Sequence, residues 1–338
     1  MGILRLLFAL SVLISHSYPI FGNNLLGRDA AVRGFFVISG FYMSLILNEK
    51  YVNKNGSFKL FITNRFLRIY PIYWFTLILS LISFYFFIPS ALNLYSLSLN
   101  GISNLLRDIT VLFRFDYLTI NPNFNEAMLI SQAWTLVLEI LFYLVAPFIV
   151  KRSTKFISLL ILISVFIRFI VFVILRLNGD PTTDRFFPAE IVFFLLGAIS
   201  YKIYKNFKQK NIPTKNLLAV LISTITITIF YNAFSFTLQY HWLDFKSWGY
   251  LGLLTISIPF IFKLTNKLKI DQMIGDLSYP VYLIHVLVIT MLVNVVHYKT
   301  SQNLFVLSII IITLIISEVM VITLEKPIDI LRQRRLKK

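Results

Sequence analysis

The chain has no cysteine. That excludes disulfides, thiolate nucleophiles and cysteine-bound metals. Charge is scarce too: Asp, Glu, Lys and Arg make up 14% of the 338 residues, where a soluble domain carries about a quarter. Acidic residues are the scarcest charge, 15 against 32 Lys and Arg. The four histidines, His16, His241, His285 and His297, are too scattered for a zinc motif, so no metal is expected. No small-residue cleavage site follows the apolar start, so that segment reads as a retained helix. Position 6 is Leu6, where N-myristoylation needs Ser or Thr.

Apolar residues are abundant instead, at 57% with a mean hydropathy of +0.77. They are spread in blocks from end to end, more than one soluble core can hide. The fold class this implies is all-α, a polytopic membrane protein of about ten helices. The segments fall near 4–21, 34–50, 69–89, 132–150, 156–175, 188–204, 216–235, 247–263, 278–297 and 303–325. Charge position then sets orientation. Arg5 and the Lys and Arg of stretches 50–68, 151–155, 202–215, 263–269 and 326–338, most of the total, lie on the N-terminal side of this map. Arg28, Arg33, Arg107, Arg114, Arg176, Arg185, Lys246 and Lys299 lie on the other, and Arg168 within a helix. By the positive-inside rule both termini are cytoplasmic. The net charge of +17 is then an orientation signal, and a nucleic-acid partner is not expected. Residues 1–328 read as one transmembrane domain and 329–338 as a basic cytoplasmic tail, which could touch anionic lipid. The longest outer loop, about 90–131, is either functional or a passive cap.

Ionisable groups inside membrane helices are costly, so each is a functional candidate. Arg5 and His16 are eleven residues apart. On a helix they share a face, about 16 Å apart along the axis. Neutral imidazole suits proton abstraction from a hydroxyl. Glu139 in WTLVLEILFYLVAP needs a partner, with His16 and Arg168 as candidates. Arg65 and Arg68 share a helical face and suit phosphate, or simply serve orientation. Gly34 and Gly40 leave a small-residue surface for close packing, with Arg33 at the outer mouth. His285 in SYPVYLIH could reach Glu318 or play a structural part.

Seven stretches occur in order: LRLLFALSVLISH, GFFVISGF, RFLRIYPIYW, WTLVLEILFYLVAP, FFLLGAISY, LSYPVYLIH and LEKP. Together, from about residue 2 to 328, they resemble acyltransferase family 3, the membrane O-acetyltransferases of O-antigen, exopolysaccharide and related glycans. The resemblance implies an O-acyltransferase of the bacterial inner membrane. Its donor would be acyl-CoA, usually acetyl-CoA, reached from the cytoplasm, with no permanently bound cofactor. Its acceptor would be a carbohydrate hydroxyl, often lipid-linked, with glycan-assembly proteins as possible partners. It assigns Arg5 and His16 as the essential pair, with Glu139. Arg65 and Arg68 fall to the acyl-CoA side, and Trp134 carries over with Glu139 from the fourth-helix motif as a substrate residue. Tyr70 beside the arginine pair and Arg33 at the outer mouth are added as candidates for donor and substrate binding. His285 and Ser278 are further candidates. One departure is Val32-Arg33-Gly34-Phe35, where the family often carries an acidic residue just before the Phe-Phe. A transporter or flippase for a lipid-linked sugar is the alternative, although repeat pairs are not visible.

Overall fold

A computed structural model describes residues 1–51, 57–90, 92, 99–111, 115–118, 129–177, 183–233, 239–240, 243–295 and 301–337. Histidines 241 and 297, Arg114, Lys299 and much of loop 90–131 lie outside the described residues. Twelve helices run α1 (Gly2–His16), α2 (Arg28–Glu49), α3 (Ser57–Phe87), α4 (Leu99–Thr110), α5 (Trp134–Ile149), α6 (Thr154–Phe169), α7 (Phe187–Phe207), α8 (Thr214–Ile229), α9 (Phe245–Thr265), α10 (Lys269–Val295), α11 (Gln302–Met320) and α12 (Lys326–Lys337). A two-residue ladder, β1 (Gln239–Tyr240) with β2 (Leu243–Asp244), precedes α9.

Eight helices are long and apolar enough to cross a membrane, and α1 and α8 are shorter apolar helices. All ten expected segments are therefore helical, and the chain is an all-α, multi-pass membrane protein. Large apolar side chains face outward where only lipid can satisfy them: Leu162 and Phe166 on α6, Ile78 and Ile82 on α3, Ile311 and Ile315 on α11. Starts are set locally. Ser153 Oγ accepts from Phe156 N to cap α6, Asp244 caps α9 through Lys246 N, and Pro188 sits in the first turn of α7.

The bundle is organised by two tight helix pairs. In α2–α7, a Cβ on Gly40 would collide with the Phe194 carbonyl, and one on Gly197 with the Val37 carbonyl. In α1–α10, a Cβ on Gly2 would strike the Asp271 carbonyl. Small residues let the backbones touch, as the Gly40 surface suggests. Gly34 instead makes room for the Phe8 ring of α1.

Two helices differ from expectation in a way that matters, α10 in where it starts and α5 in its depth. α10 begins at Lys269, well before 278. Its first turns carry Asp271, Gln272 and Asp276, polar because they line a cavity. α5 begins beside the middle of α10: Gln132 Nε2 donates to the Leu283 carbonyl, and Thr135 Oγ1 lies 2.9 Å from Tyr282 Oη. Leu129, Ile130, Gln132 and Ala133, just before it, are therefore buried. The loop expected outside contains α4, whose last turn is fastened to α3 by Tyr73 to the Asp108 carbonyl (2.5 Å), Trp74 to the Ile109 carbonyl (2.9 Å) and Tyr70 to the Thr110 carbonyl. The 329–337 stretch, expected as a basic tail, is helical. α12 continues α11 through a π-helical segment, Val321–Glu325, and Arg335 donates to Thr63 Oγ1 on α3 at 3.1 Å.

Candidate active site

A cavity of about 410 Å³ opens on the face that carries Met1. One face of α2 forms a wall, through Phe35, Ser39, Tyr42 and Ile46 at helical spacing. The opposite walls bring together Arg5 of α1, Arg65 and Arg68 of α3, Glu139 of α5 and Ser278 of α10. Five residues from four helices, chosen on sequence grounds, thus share one space. The cavity lies in the size range of small-molecule sites.

Its arginines are unequally satisfied. Arg68 is ion-paired with Glu325, which joins RFLR to LEKP. No carboxylate bridges Arg5 or Arg65 among the described residues. Arg65 Nε is buried without a hydrogen-bond partner, its guanidinium near the rings of Phe61 (5.8 Å) and Tyr143 (6.0 Å). Arg332 of α12 also lines the cavity; it bonds Asp329 at 2.9 Å while its Nε is equally unpartnered. Arg332 escaped sequence reasoning because a C-terminal Arg among many resembles simple positive-inside charge. Unpartnered buried guanidinium donors are costly unless an anion completes them.

Glu139 does not meet His16 or Arg168. Its Oε1 accepts from Ser39 Oγ at 2.9 Å and from Tyr143 Oη. The reason is register: α5 starts at the level of Tyr282, so a residue within it falls below His16. Arg168 is 4% exposed and pairs instead with Glu190 and, at 3.5 Å, Asp184. Ser278 donates to the Gly275 carbonyl at 2.6 Å, one turn along α10.

His16 lies beyond the cavity, at the other end of α1 and exposed. Its Nδ1 is 2.8 Å from His285 Nε2, with ring planes 10° apart. His285 is fully buried, and its Nδ1 is 2.8 Å from the Tyr282 carbonyl. It faces α1, not Glu318. Measured from Lys269, His285 lies about 24 Å along α10, far from the Met1 face where α11 places Glu318. Between cavity and histidines stand Phe35 and Tyr282, edge to face at 5.9 Å; Tyr282 in turn lies 5.9 Å from the His285 ring.

A second cavity, about 590 Å³, opens at the opposite face. Arg33 lies there, 3.0 Å from Asp184, with Arg168, Tyr231 and Trp248 around it. Burial and then the nearby Asp244 push the Tyr231 phenol above its ordinary range, so it stays a neutral donor. Trp134 is outside both linings, with the Arg185 guanidinium 5.5 Å over its ring. Tyr70 is outside them as well, holding α4 and stacked on Phe66 at 4.1 Å. Among the described residues, no group of His, Asp and Glu is arranged to hold a metal ion.

The family described as an acyltransferase domain matches residues 1–321, nearly the whole chain. The chain belongs to that family, acyltransferase family 3, and is a membrane acyltransferase. It is also 30% identical over 195 residues to an Aquifex aeolicus (strain VF5) protein bearing the name "Uncharacterized protein". That match covers 56% of this chain and 80% of the relative. No solved structure matches.

Proposed function

We propose that this protein is an O-acetyltransferase of a bacterial inner membrane, with the Met1 face and both chain ends in the cytoplasm. It moves an acetyl group from acetyl-CoA to a hydroxyl of a free or lipid-linked carbohydrate, as in O-antigen, exopolysaccharide or capsule. Glycan-assembly proteins are candidate partners. The observation that carries this reading is the cavity on the basic face. It gathers Arg5, Arg65, Arg68 and Arg332 from three separate parts of the chain and leaves two guanidinium Nε donors without partners.

The donor's phosphates bind these arginines, and its thioester arm runs along α1 past Phe35 and Tyr282. The carbohydrate approaches from the opposite face. The cavity there offers Arg33 and Asp184 for hydroxyl hydrogen bonds and Tyr231 and Trp248 as apolar ring faces. His16 takes the hydroxyl proton as that oxygen attacks the thioester carbon. The C–S bond breaks, and the departing CoA thiolate recovers the proton. The products are the acetyl ester and free CoA. Glu139, in the donor cavity, orders Ser39 and Tyr143 beside the arm.

The experiment is a comparison of surface glycans from a deletion strain and its complemented parent by mass spectrometry. The reading predicts loss of an acetyl increment in the deletion and its return on complementation. Unchanged glycan acetylation in the deletion contradicts it.

A further inference from the structure

The His16–His285 contact fixes more than a distance. His285 Nδ1 faces the Tyr282 carbonyl at 2.8 Å, and a carbonyl oxygen can only accept. That nitrogen therefore carries a hydrogen. His285 is fully buried, and no carboxylate pairs with it among the described residues. A buried imidazole without a counter-charge is neutral. Its Nε2 is then a bare lone pair, aimed at His16 Nδ1 2.8 Å away. Two lone pairs cannot share that contact, so His16 Nδ1 must donate. In neutral His16 the remaining lone pair is on Nε2, which makes no hydrogen bond to a described residue and belongs to an exposed ring.

We propose that His285 is a positioning residue. Tyr282 carbonyl, His285 and His16 form a directional chain that locks His16 in its Nδ1–H tautomer and leaves Nε2 as the basic atom. This rests on the reading of His16 as the base. The chain serves both halves of the reaction. When Nε2 takes the proton from the carbohydrate hydroxyl, Nδ1–H still donates to His285. When Nε2 returns it to the CoA thiolate, the starting tautomer is restored and His285 has neither gained nor lost a proton. The acceptor is neutral, so it orients the ring without placing a second charge beside it. The other charged or titratable groups acting on His16 are Arg28 and Asp29 at the start of α2; His285 faces Tyr282 and the Val281 carbonyl on its own helix.

The test has a readout independent of catalysis. Diethyl pyrocarbonate modifies neutral imidazole nitrogen, and mass spectrometry locates the product on the purified full-length protein. In the unaltered protein His16 reacts with a single-site pH profile, and buried His285 does not react. His285→Gln keeps an amide oxygen for His16 Nδ1–H and an N–H for the Tyr282 carbonyl. It is expected to keep the pH profile and most of the acetyl transfer. His285→Leu removes the acceptor at similar volume. It is expected to shift the His16 profile and to lower kcat at least about tenfold, with KM for acetyl-CoA unchanged. Thermal unfolding in detergent checks folding. If the Leu variant is unfolded, the Gln variant decides: a folded Gln protein that transfers as poorly as His16→Ala overturns the proposal. So does a folded Leu protein with unaltered profile and kcat. A profile that moves as predicted, in a protein whose His16→Ala variant still transfers acetyl at full rate, instead overturns the reading of His16 as base.

Discussion

Arg68 on α3 and Glu325 in the π segment after α11 form an ion pair between residues 257 apart in sequence, with side chains 22% and 6% exposed. The pair closes the bundle on the Met1 face and holds α12 over the cavity. Breaking one side leaves the other charge largely buried. Arg68→Ala or Glu325→Ala is expected to cost about 2–3 kcal/mol, below the roughly 3–5 kcal/mol of a fully buried pair. The double variant should lose less than the sum of the singles. Unfolding midpoints in detergent give all three values.

Arg65 has no carboxylate partner, so its removal should act on the ligand rather than the fold. Arg65→Ala and Arg332→Ala are each expected to raise KM for acetyl-CoA about tenfold to hundredfold, the equivalent of one charge-assisted hydrogen bond. Stability should change little. Steady-state kinetics across salt concentrations is the check. A fall in kcat at constant KM places the donor elsewhere.

Phe35 and Tyr282 stand between the arginine cavity and the histidine pair. Phe35→Trp should block the arm while the phosphates still bind. CoA should still stabilise the protein thermally, and acetyl transfer should fall. If CoA stabilisation is lost together with transfer, the arm does not pass this point.

Gly40 and Gly197 allow α2 and α7 to touch, and a Cβ at either would meet backbone, which cannot step aside. Gly40→Leu or Gly197→Leu is expected to abolish folded protein in membranes, measured by detergent-resistant monodisperse yield. Gly249→Ala, at a position with open space, should be tolerated.

The ten apolar helices and the Arg5, Arg65, Arg68 grouping were legible because bilayer thickness and motif order constrain them; Glu139 was expected beside His16, and the structure puts it with the arginines instead. Depth along the membrane normal was not legible. Hydropathy assumes that each segment begins at a surface. α10 violates that with a polar first third lining a cavity, and α5 begins beside Tyr282. The early start of α10 puts about two and a half more turns between His285 and the Met1 face, and the depth of α5 drops Glu139 below His16. Glu139 and His16 are thereby separated, and His285 meets His16 instead. Arg168 found Glu190 rather than Glu139 because α6 lies along α7 and Ser164 donates to the Pro188 carbonyl there. No periodicity in one sequence encodes which neighbour a helix chooses.

In the proposed reaction Arg5 and His16, at opposite ends of α1, bind the donor and move the proton in one acetyl transfer. The most direct measurement follows label from radioactive acetyl-CoA into carbohydrate, in membrane vesicles holding equal amounts of folded unaltered, Arg5→Ala and His16→Ala protein. The account predicts that Arg5→Ala recovers partly at high acetyl-CoA, whereas His16→Ala stays inactive at every concentration. Transfer at the unaltered rate in both variants would contradict it.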